Sequence, residues 1–162
     1  MSYLLDTNVF IQAKNLHYGL DFCPAFWDWL VQKGYTGVVF SIDKVADEIK
    51  DGQDELSIWA KDYGHVLFKP TLLTMVPQFT QVSTWVMEQN YTPAAINTFF
   101  QEADFYLIVH ALAGNHVMVT HEVFSNSIHR IKIPNVCLGL GINYTSPYQM
   151  LRNEQARFVL GV

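Results

Sequence analysis

Charged residues are scarce in this sequence, and the few that it has are mostly acidic. Of the 162 residues only 15% are charged, and the formal net charge is −5. A nonspecific nucleic-acid-binding module usually carries a basic face, because phosphate contacts supply most of its affinity. The acidic balance argues against such a module, but not against a nuclease whose acidic site is neutralised by divalent cations.

Cysteines are few, and the sequence has no long apolar run and no leader-like start. The two cysteines, Cys23 and Cys137, have no CxxC neighbour, so we expect two buried thiols in a reducing compartment rather than a disulfide scaffold. No apolar stretch reaches the roughly 20 residues of a membrane span, and the opening residues lack the basic start of a signal peptide. We therefore expect a cytoplasmic protein without a membrane segment.

Hydrophobic residues, by contrast, are abundant. They make up 50% of the chain, and 14% of all residues are aromatic, a composition that excludes a disordered chain. The length predicts a single domain over residues 1–162, long enough to bury a sizeable core. Few charges and many aromatics have two interpretations, which are a well-filled core and an apolar surface covered by a partner or a second copy.

The hydrophobic pattern alternates between strands and helices. Strands are predicted at Tyr3–Leu5, Gly37–Phe40, Val66–Phe68, Val117–Thr120 and Ile131–Ile133. Helices are predicted at Asn8–Lys14, Pro24–Lys33, Ile42–Lys50, Asp54–Tyr63, Thr71–Asn90, Pro93–Phe100, Ala103–Ala113 and Ser146–Asn153. We expect Ser41 to cap the helix that follows it. This alternation favours an α/β fold, a three-layer α/β/α sandwich with a mainly parallel central sheet.

Four acidic residues stand near the predicted strand ends, where parallel sheets place their ligand sites. They are Asp6, Glu48, Asp104 and Glu122. If the strands are neighbours, these carboxylates converge, and they would repel one another unless a cation lay between them. Mg²⁺ prefers oxygen ligands, and a divalent ion can activate water and stabilise the charge that develops during phosphodiester hydrolysis.

Each of these acids also has an ordinary structural interpretation. Asp6 can cap the helix that follows it, as can Thr7. Asp104 can stabilise a helix N-terminus through the helix dipole, and Glu102 competes with it for the functional role. Glu48 and Glu122 can be solvated side chains. The set therefore carries more information than any one of its members.

Taken together, these residues resemble the motifs of the PIN-domain ribonucleases. Tyr3–Ile11 resembles the opening of that family, a strand that ends in Asp-Thr-Asn or Asp-Thr-Ser. Val45–Ile49 resembles its second acidic motif, and Glu102–Ala111 resembles its third, in which an Asp opens an apolar helix. Val117–Glu122 resembles the fourth motif, although the family usually carries Asp where this chain has Glu122.

The resemblance implies a PIN-like fold and metal-dependent cleavage of RNA. Asp6, Glu48 and Asp104 would be the ligands of Mg²⁺ or Mn²⁺. Thr120 would assist through a hydroxyl hydrogen bond, and Glu122 would complete the catalytic set, directly or through water.

The resemblance and the sequence around these residues also suggest supporting roles. Asn8 would brace Asp6 beside Thr7, and Arg130 and Lys132 are candidates for phosphate contacts. Bacterial members of the PIN family are often the toxins of toxin–antitoxin pairs and are commonly homodimers. An antitoxin protein and a second copy of the chain are therefore the expected partners, besides the RNA substrate.

Two other functions stay open at this point. The low charge and Glu122 are compatible with a catalytically inactive PIN-like interaction module. A phosphohydrolase that acts through an aspartyl intermediate would need a second Asp two positions after Asp6, where Asn8 stands instead.

Overall fold

A parallel β-sheet forms the centre of the computed structural model, which describes residues 1–161. Over these residues the strands are β1 (Tyr3–Leu5), β2 (Val39–Ile42), β3 (Phe68–Lys69), β4 (Val117–Val119) and β5 (Tyr144–Thr145). They lie side by side in the order β3-β2-β1-β4-β5, and every neighbouring pair is parallel. Val162, the last residue of the predicted domain, lies outside the described residues.

The middle strand of the sheet is β1. Its Leu4 is in register with Phe40 of β2 on one side and with Met118 of β4 on the other. All three residues of β1 are buried, which explains why its sequence is a continuous apolar run rather than an alternation of apolar and polar residues. Because β1, β2 and β4 run in the same direction, their carboxyl ends meet at one edge of the sheet.

Helices flank the sheet and complete the three-layer α/β/α sandwich, so the predicted fold class is confirmed. The helices of the described residues are α1 (Thr7–Gln12), α2 (Pro24–Tyr35), α3 (Asp43–Lys50), α4 (Glu55–Asp62), α5 (Gly64–Leu67), α6 (Val76–Glu88), α7 (Pro93–Gln101), α8 (Ala103–Gly114), α9 (Ile133–Leu140) and α10 (Pro147–Asn153). A π-helical segment, Ala13–His17, continues α1, and a 3-10 turn, Leu73–Met75, leads into α6.

Local sequence signals explain where several of these helices begin and end. Thr92 caps α7 by accepting a hydrogen bond from the Ala95 N–H over 3.2 Å, and Ser146 caps α10 in the same way. Asn115 ends α8 in the left-handed conformation, with φ of 55°. Gly141 ends α9 with φ of 70°, a conformation that costs glycine little because it has no Cβ.

The helix α8 carries the most apolar side of the core. Its Leu107, Ile108 and Val109 are fully buried, and the helix packs against α6, α7 and α9 as well as against β2 and β4. With apolar residues on most of its surface, α8 has to lie inside the fold rather than on it. Its first turn is thereby held next to the carboxyl ends of the central strands.

The structure corrects several local predictions. Ile131–Ile133 is not a strand, because Pro134 occupies the first turn of α9 and Ile133 is already helical. The predicted edge strand Val66–Phe68 is shifted, since the short helix α5 ends at Leu67 and β3 follows it. The sequence interpretation missed β5, whose two residues are too few to show a pattern.

The side chain of Ser41 does not cap a helix, contrary to expectation. Its hydroxyl donates a hydrogen bond to the Leu5 carbonyl over 2.7 Å, and both groups are buried. Ile42 occupies the N-cap position of α3 instead. Ser41 thus ties the end of β2 to the end of β1, directly beside Asp6.

No helix among residues 1–161 has the length and apolar character needed to cross a membrane. Cys137 is buried as expected, but Cys23 is only half-buried, which corrects the prediction that both thiols lie in the interior.

Candidate acidic site at the strand ends

Five carboxylates from separate parts of the chain line one cavity at the carboxyl edge of the sheet. The cavity has a volume of about 220 Å³. Its acidic lining residues are Asp6, Glu48, Glu102, Asp104 and Glu122. The four acids singled out from the sequence are therefore brought together, and Glu102 joins them as a fifth rather than replacing Asp104. We call this space the acidic cavity.

The position of Asp6 follows from β1. Its backbone N–H donates to the Val119 carbonyl over 3.0 Å and so extends the pairing with β4 by one residue. Asp6 stands at the N-cap position of α1, but its side chain makes no capping hydrogen bond. The carboxylate is 2% exposed. Helix capping thus does not explain this residue, and its side chain faces the acidic cavity instead.

Thr120 holds the Asp6 carboxylate in place. The Thr120 hydroxyl donates to Asp6 Oδ2 over 3.0 Å and accepts from the Glu122 N–H over 3.0 Å. The Thr120 N–H in turn donates to the Thr145 carbonyl of β5. One hydroxyl therefore links the strand-end acid to the loop that carries Glu122, as the expected role of Thr120 requires.

Glu48 connects three elements around the cavity. Its Oε2 accepts from the Thr7 hydroxyl over 2.6 Å, and its Oε1 accepts from the Ala103 N–H over 3.0 Å. The second bond satisfies one of the free N–H groups at the start of α8, where the N-cap residue Glu102 makes no side-chain bond. Each oxygen of Glu48 keeps a second lone pair that another ligand can use.

Glu122 is nearly buried, and one of its oxygens lacks a hydrogen bond. Its side chain is 9% exposed, and Oε2 accepts no hydrogen bond in the structure. Lys132 Nζ lies 3.5 Å from that oxygen, which is an ion-pair distance with poor hydrogen-bond geometry. A buried carboxylate oxygen without a donor is costly, so this atom marks a place where a cation would be stabilised.

The shared burial of these acids changes their ionisation. Desolvation, followed by the charge of Glu122, raises the pKa of Asp6 to about 7, although hydrogen bonds from Thr120 and Thr7 act in the opposite direction. Desolvation and then the charge of Asp6 hold the pKa of Asp104 well above its usual range. Without a cation, burial and neighbouring charges favour the protonated forms of Asp6 and Asp104.

Arg130 is the positive side chain at the acidic cavity. It lines the cavity together with Glu102, and its charge lowers the pKa of Glu102, although desolvation raises that pKa more strongly. The two predicted phosphate-contact residues thus differ in their surroundings. Arg130 lines the cavity, whereas the charge of Lys132 is paired with Glu122.

Among the described residues, the Asn8 side chain makes no hydrogen bond to the Asp6 carboxylate, the contact that its expected bracing role would need. Asn8 is exposed and lines the mouth of the cavity, and Thr120 makes the hydrogen bond that Asn8 was expected to supply. Thr7 does act as a supporting residue, but its hydroxyl serves Glu48 rather than Asp6. The sequence interpretation also missed the buried Ser41, whose bond to the Leu5 carbonyl fixes the end of β1.

Among residues 1–161, no three His, Cys, Asp or Glu side chains form a ready-made metal-binding group. Asp6 and Glu48 are instead hydrogen-bonded to Thr120, Thr7 and Ala103. Chemically, the site offers oxygen donors and a nearby guanidinium, and it has no thiol and no histidine in its lining.

A family model described as "Domain of unknown function (DUF4411)" matches residues 3–158 of the chain. The chain belongs to this family. No curated protein and no solved structure matches it. The DUF4411 match extends from β1 past α10 and so includes every residue that lines the acidic cavity.

The raised pKa of Asp6 predicts how stability depends on pH when divalent cations are removed. An unfolded Asp titrates near 3.8, whereas folded Asp6 keeps its proton up to about pH 7. Between these values the folded state binds the extra proton, so the free energy of unfolding falls as pH rises, by up to about 1.4 kcal/mol per pH unit. Urea denaturation in chelator between pH 4 and pH 7 measures this slope.

The Asp6→Asn variant is the comparison for that slope. It has no carboxyl to titrate at this position, so its free energy of unfolding should change less over the same interval. Equal slopes in the two proteins would show that Asp6 is not the group whose ionisation the fold opposes.

Proposed function

We propose that this protein is a divalent-cation-dependent endoribonuclease, which hydrolyses phosphodiester bonds in RNA at the acidic cavity. One observation carries the proposal, namely that carboxylates from four separated segments line a single cavity, where burial raises the pKa of Asp6 and Asp104. A fold gains nothing from such mutual repulsion by itself. A bound cation would convert this repulsion into attraction.

The chemistry of the donor set favours Mg²⁺ or Mn²⁺. The cavity offers carboxylate oxygens only, which suits hard cations rather than metals that prefer thiolate or imidazole. Asp6, Glu48 and Asp104 are the proposed ligands, and Glu122 supplies a buried oxygen without a hydrogen bond. The donor types of the cavity thus fit such an ion.

The chain's own residues would prepare the site for hydrolysis. Thr120 orients Asp6, and Thr7 with the start of α8 orients Glu48. Arg130, at the rim, would contact a phosphate oxygen of the substrate. A bound Mg²⁺ or Mn²⁺ would supply Lewis-acid stabilisation of the phosphate and a more acidic water.

Two features support RNA as the substrate. The residues that line the cavity are those that resemble the motifs of PIN-domain ribonucleases, and they occur in the corresponding order along the chain. Asn8 and Arg130, which line the cavity, are both exposed, so a polymer can reach the acids from solvent.

Replacing either of two central acids should remove cleavage. We expect Asp6→Asn and Asp104→Asn each to lower the rate of Mn²⁺-dependent RNA hydrolysis by more than about a hundredfold, because each removes a ligand charge while keeping the side-chain shape. Gel analysis of a labelled single-stranded RNA, with and without chelator, measures the effect.

The matched control is Asp62→Asn, which makes the same chemical change at an exposed position on α4, away from the cavity. Its cleavage rate should equal that of the parent protein. Undiminished hydrolysis by the Asp6→Asn or Asp104→Asn variant, or by the parent protein in excess chelator, would contradict the metal-dependent mechanism.

Calorimetric titration with Mn²⁺ separates the nuclease from a catalytically inactive interaction module. The parent protein should bind Mn²⁺ with release of protons near pH 6, since the carboxyls whose pKa is raised must lose their protons to act as ligands. Asp104→Asn should weaken this binding strongly, and Asp62→Asn should leave it unchanged. An absence of binding that depends on Asp104 would favour the inactive module.

A role as the toxin of a toxin–antitoxin pair is part of the proposal. Support comes from the resemblance to bacterial PIN-domain toxins and from apolar side chains on the surface. Leu72, Leu73 and Val76, around the start of α6, are all exposed, so this face can be covered by an antitoxin or by a second copy of the chain.

Induced expression in a bacterium tests the toxin role. We expect the parent protein to arrest growth and the Asp104→Asn variant to be tolerated at the same protein level, because toxicity would require RNA cleavage. Growth arrest of equal strength with both proteins would contradict a nuclease toxin, whatever the activity in vitro.

A further inference from the structure

A second cavity adjoins the acidic cavity on the β5 side. It has a volume of about 350 Å³, within the range of small-ligand pockets, roughly 300–1,000 Å³. Glu122 lines both cavities, so the two meet at this residue. The rest of the wall includes three aromatic side chains, Phe124, Tyr144 and Tyr148, together with His121. We call this space the aromatic pocket.

The aromatic rings of this pocket are accessible rather than part of the core. Phe124 is 51% exposed, and Tyr144 and Tyr148 are each 37% exposed. Other exposed apolar residues are scattered over the surface, but these three surround one concave space beside the acids. Flat accessible rings of this kind provide the surface on which unpaired nucleobases stack.

The pocket is held in place by the fold. Tyr148 lies in the first turn of α10, which Ser146 caps. The Tyr148 hydroxyl is 2.8 Å from His17 Nε2, and its ring packs edge-on against both His17 and His121. Burial lowers the pKa of His121, and neighbouring His17 lowers it further. The Tyr148 ring is therefore positioned before a ligand arrives, which reduces the entropy cost of binding.

A third cavity also adjoins the acidic cavity. It shares Glu102 and Arg130 with the acidic cavity, and it adds His129 to the wall. The acidic cavity thus shares wall residues with two further cavities, Glu102 and Arg130 with one and Glu122 with the aromatic pocket. A small phosphate ester would fill the acidic cavity alone.

From the shared Glu122 wall and the accessible rings beside it we infer that the aromatic pocket holds an unpaired base of the nucleotide next to the phosphate in the acidic cavity. Arg130, which also lines the acidic cavity, is then available to that phosphate. This inference rests on the proposed function and deepens it. A duplex would not fit this arrangement, because its bases are already paired and stacked.

The test is a double-mutant cycle on binding affinity, in which the Tyr148 ring of the protein, the bases of the RNA, or both are removed. Binding of a fluorescein-labelled uridine hexamer is compared with that of the same hexamer without bases, by fluorescence anisotropy with Ca²⁺ in place of Mg²⁺. The parent protein should bind the intact hexamer about tenfold more tightly. Tyr148→Leu should lose most of this preference, since a base–aromatic stack of about 1.4 kcal/mol corresponds to a factor of ten.

Two control variants separate stacking from damage to the fold. Tyr148→Phe keeps the ring and loses only the hydroxyl that contacts His17, so it should retain the preference for the intact hexamer. Tyr35→Leu makes the same change as Tyr148→Leu at an exposed position on α2, far from the pocket in sequence, and should bind like the parent protein. A Phe124→Ala variant should reduce the preference in the same direction as Tyr148→Leu.

Equal preference for the intact hexamer in the parent protein and in Tyr148→Leu would overturn the inference. So would binding of duplex RNA as tight as that of the single strand. These results are distinct from a failure of the proposed function. If stacking depends on Tyr148 but no RNA is cleaved with Mn²⁺, the result supports base binding in the aromatic pocket and contradicts the proposed nuclease activity. If RNA is cleaved but Tyr148→Leu changes neither binding nor KM, the result supports the nuclease activity and contradicts base binding in the pocket.

Discussion

Electrostatic repulsion among buried carboxylates is the constraint around which this end of the molecule is organised. Asp6 is 2% exposed and Asp104 is 8% exposed, and a neighbouring carboxylate raises the free energy of ionising each of them, Glu122 for Asp6 and Asp6 for Asp104. The neighbouring polar groups stabilise the carboxylates through hydrogen bonds and one ion pair. Thr120 donates to Asp6, Thr7 and the start of α8 donate to Glu48, and Lys132 approaches Glu122. The bonds reduce the repulsion without removing it.

Much of this site could be predicted because its parts follow local rules. Asp6 comes directly after an apolar run that is long enough for a buried strand, and Asp104 opens a helix that is apolar almost all round. Since consecutive parallel strands in such folds meet at one edge, the two acids had to lie close together once the fold class was known. Thr120 and Glu122 followed from the same reasoning applied to β4. The metal, the reaction and the partners remain proposals.

The parts that escaped prediction depend on contacts between distant segments. Ser41 has the sequence context of a helix cap, but a buried carbonyl on the neighbouring strand takes its hydroxyl. Glu48 has the context of a solvated helix residue, but it accepts from the backbone of α8, 55 residues later. Ile131–Ile133 alternates like a strand, yet Pro134 fits the first turn of a helix, and tertiary packing decided between them. No local pattern could supply these partners.

The hydrogen bond between Thr120 and Asp6 also has a consequence for synthesis of the chain. The two residues are 114 positions apart, and β1 has only β2 beside it until β4 has been made. During translation one edge of β1 therefore stays unpaired until β4 has been made. The pairing of β1 with β4 joins distant parts of the chain, and pairing of this kind is slow to form. A chain that stops before Val117 holds Asp6, Glu48 and Asp104 but lacks β4 and the Thr120 hydroxyl that holds the first of them. The acidic site therefore assembles only after β4 and Glu122 have left the ribosome.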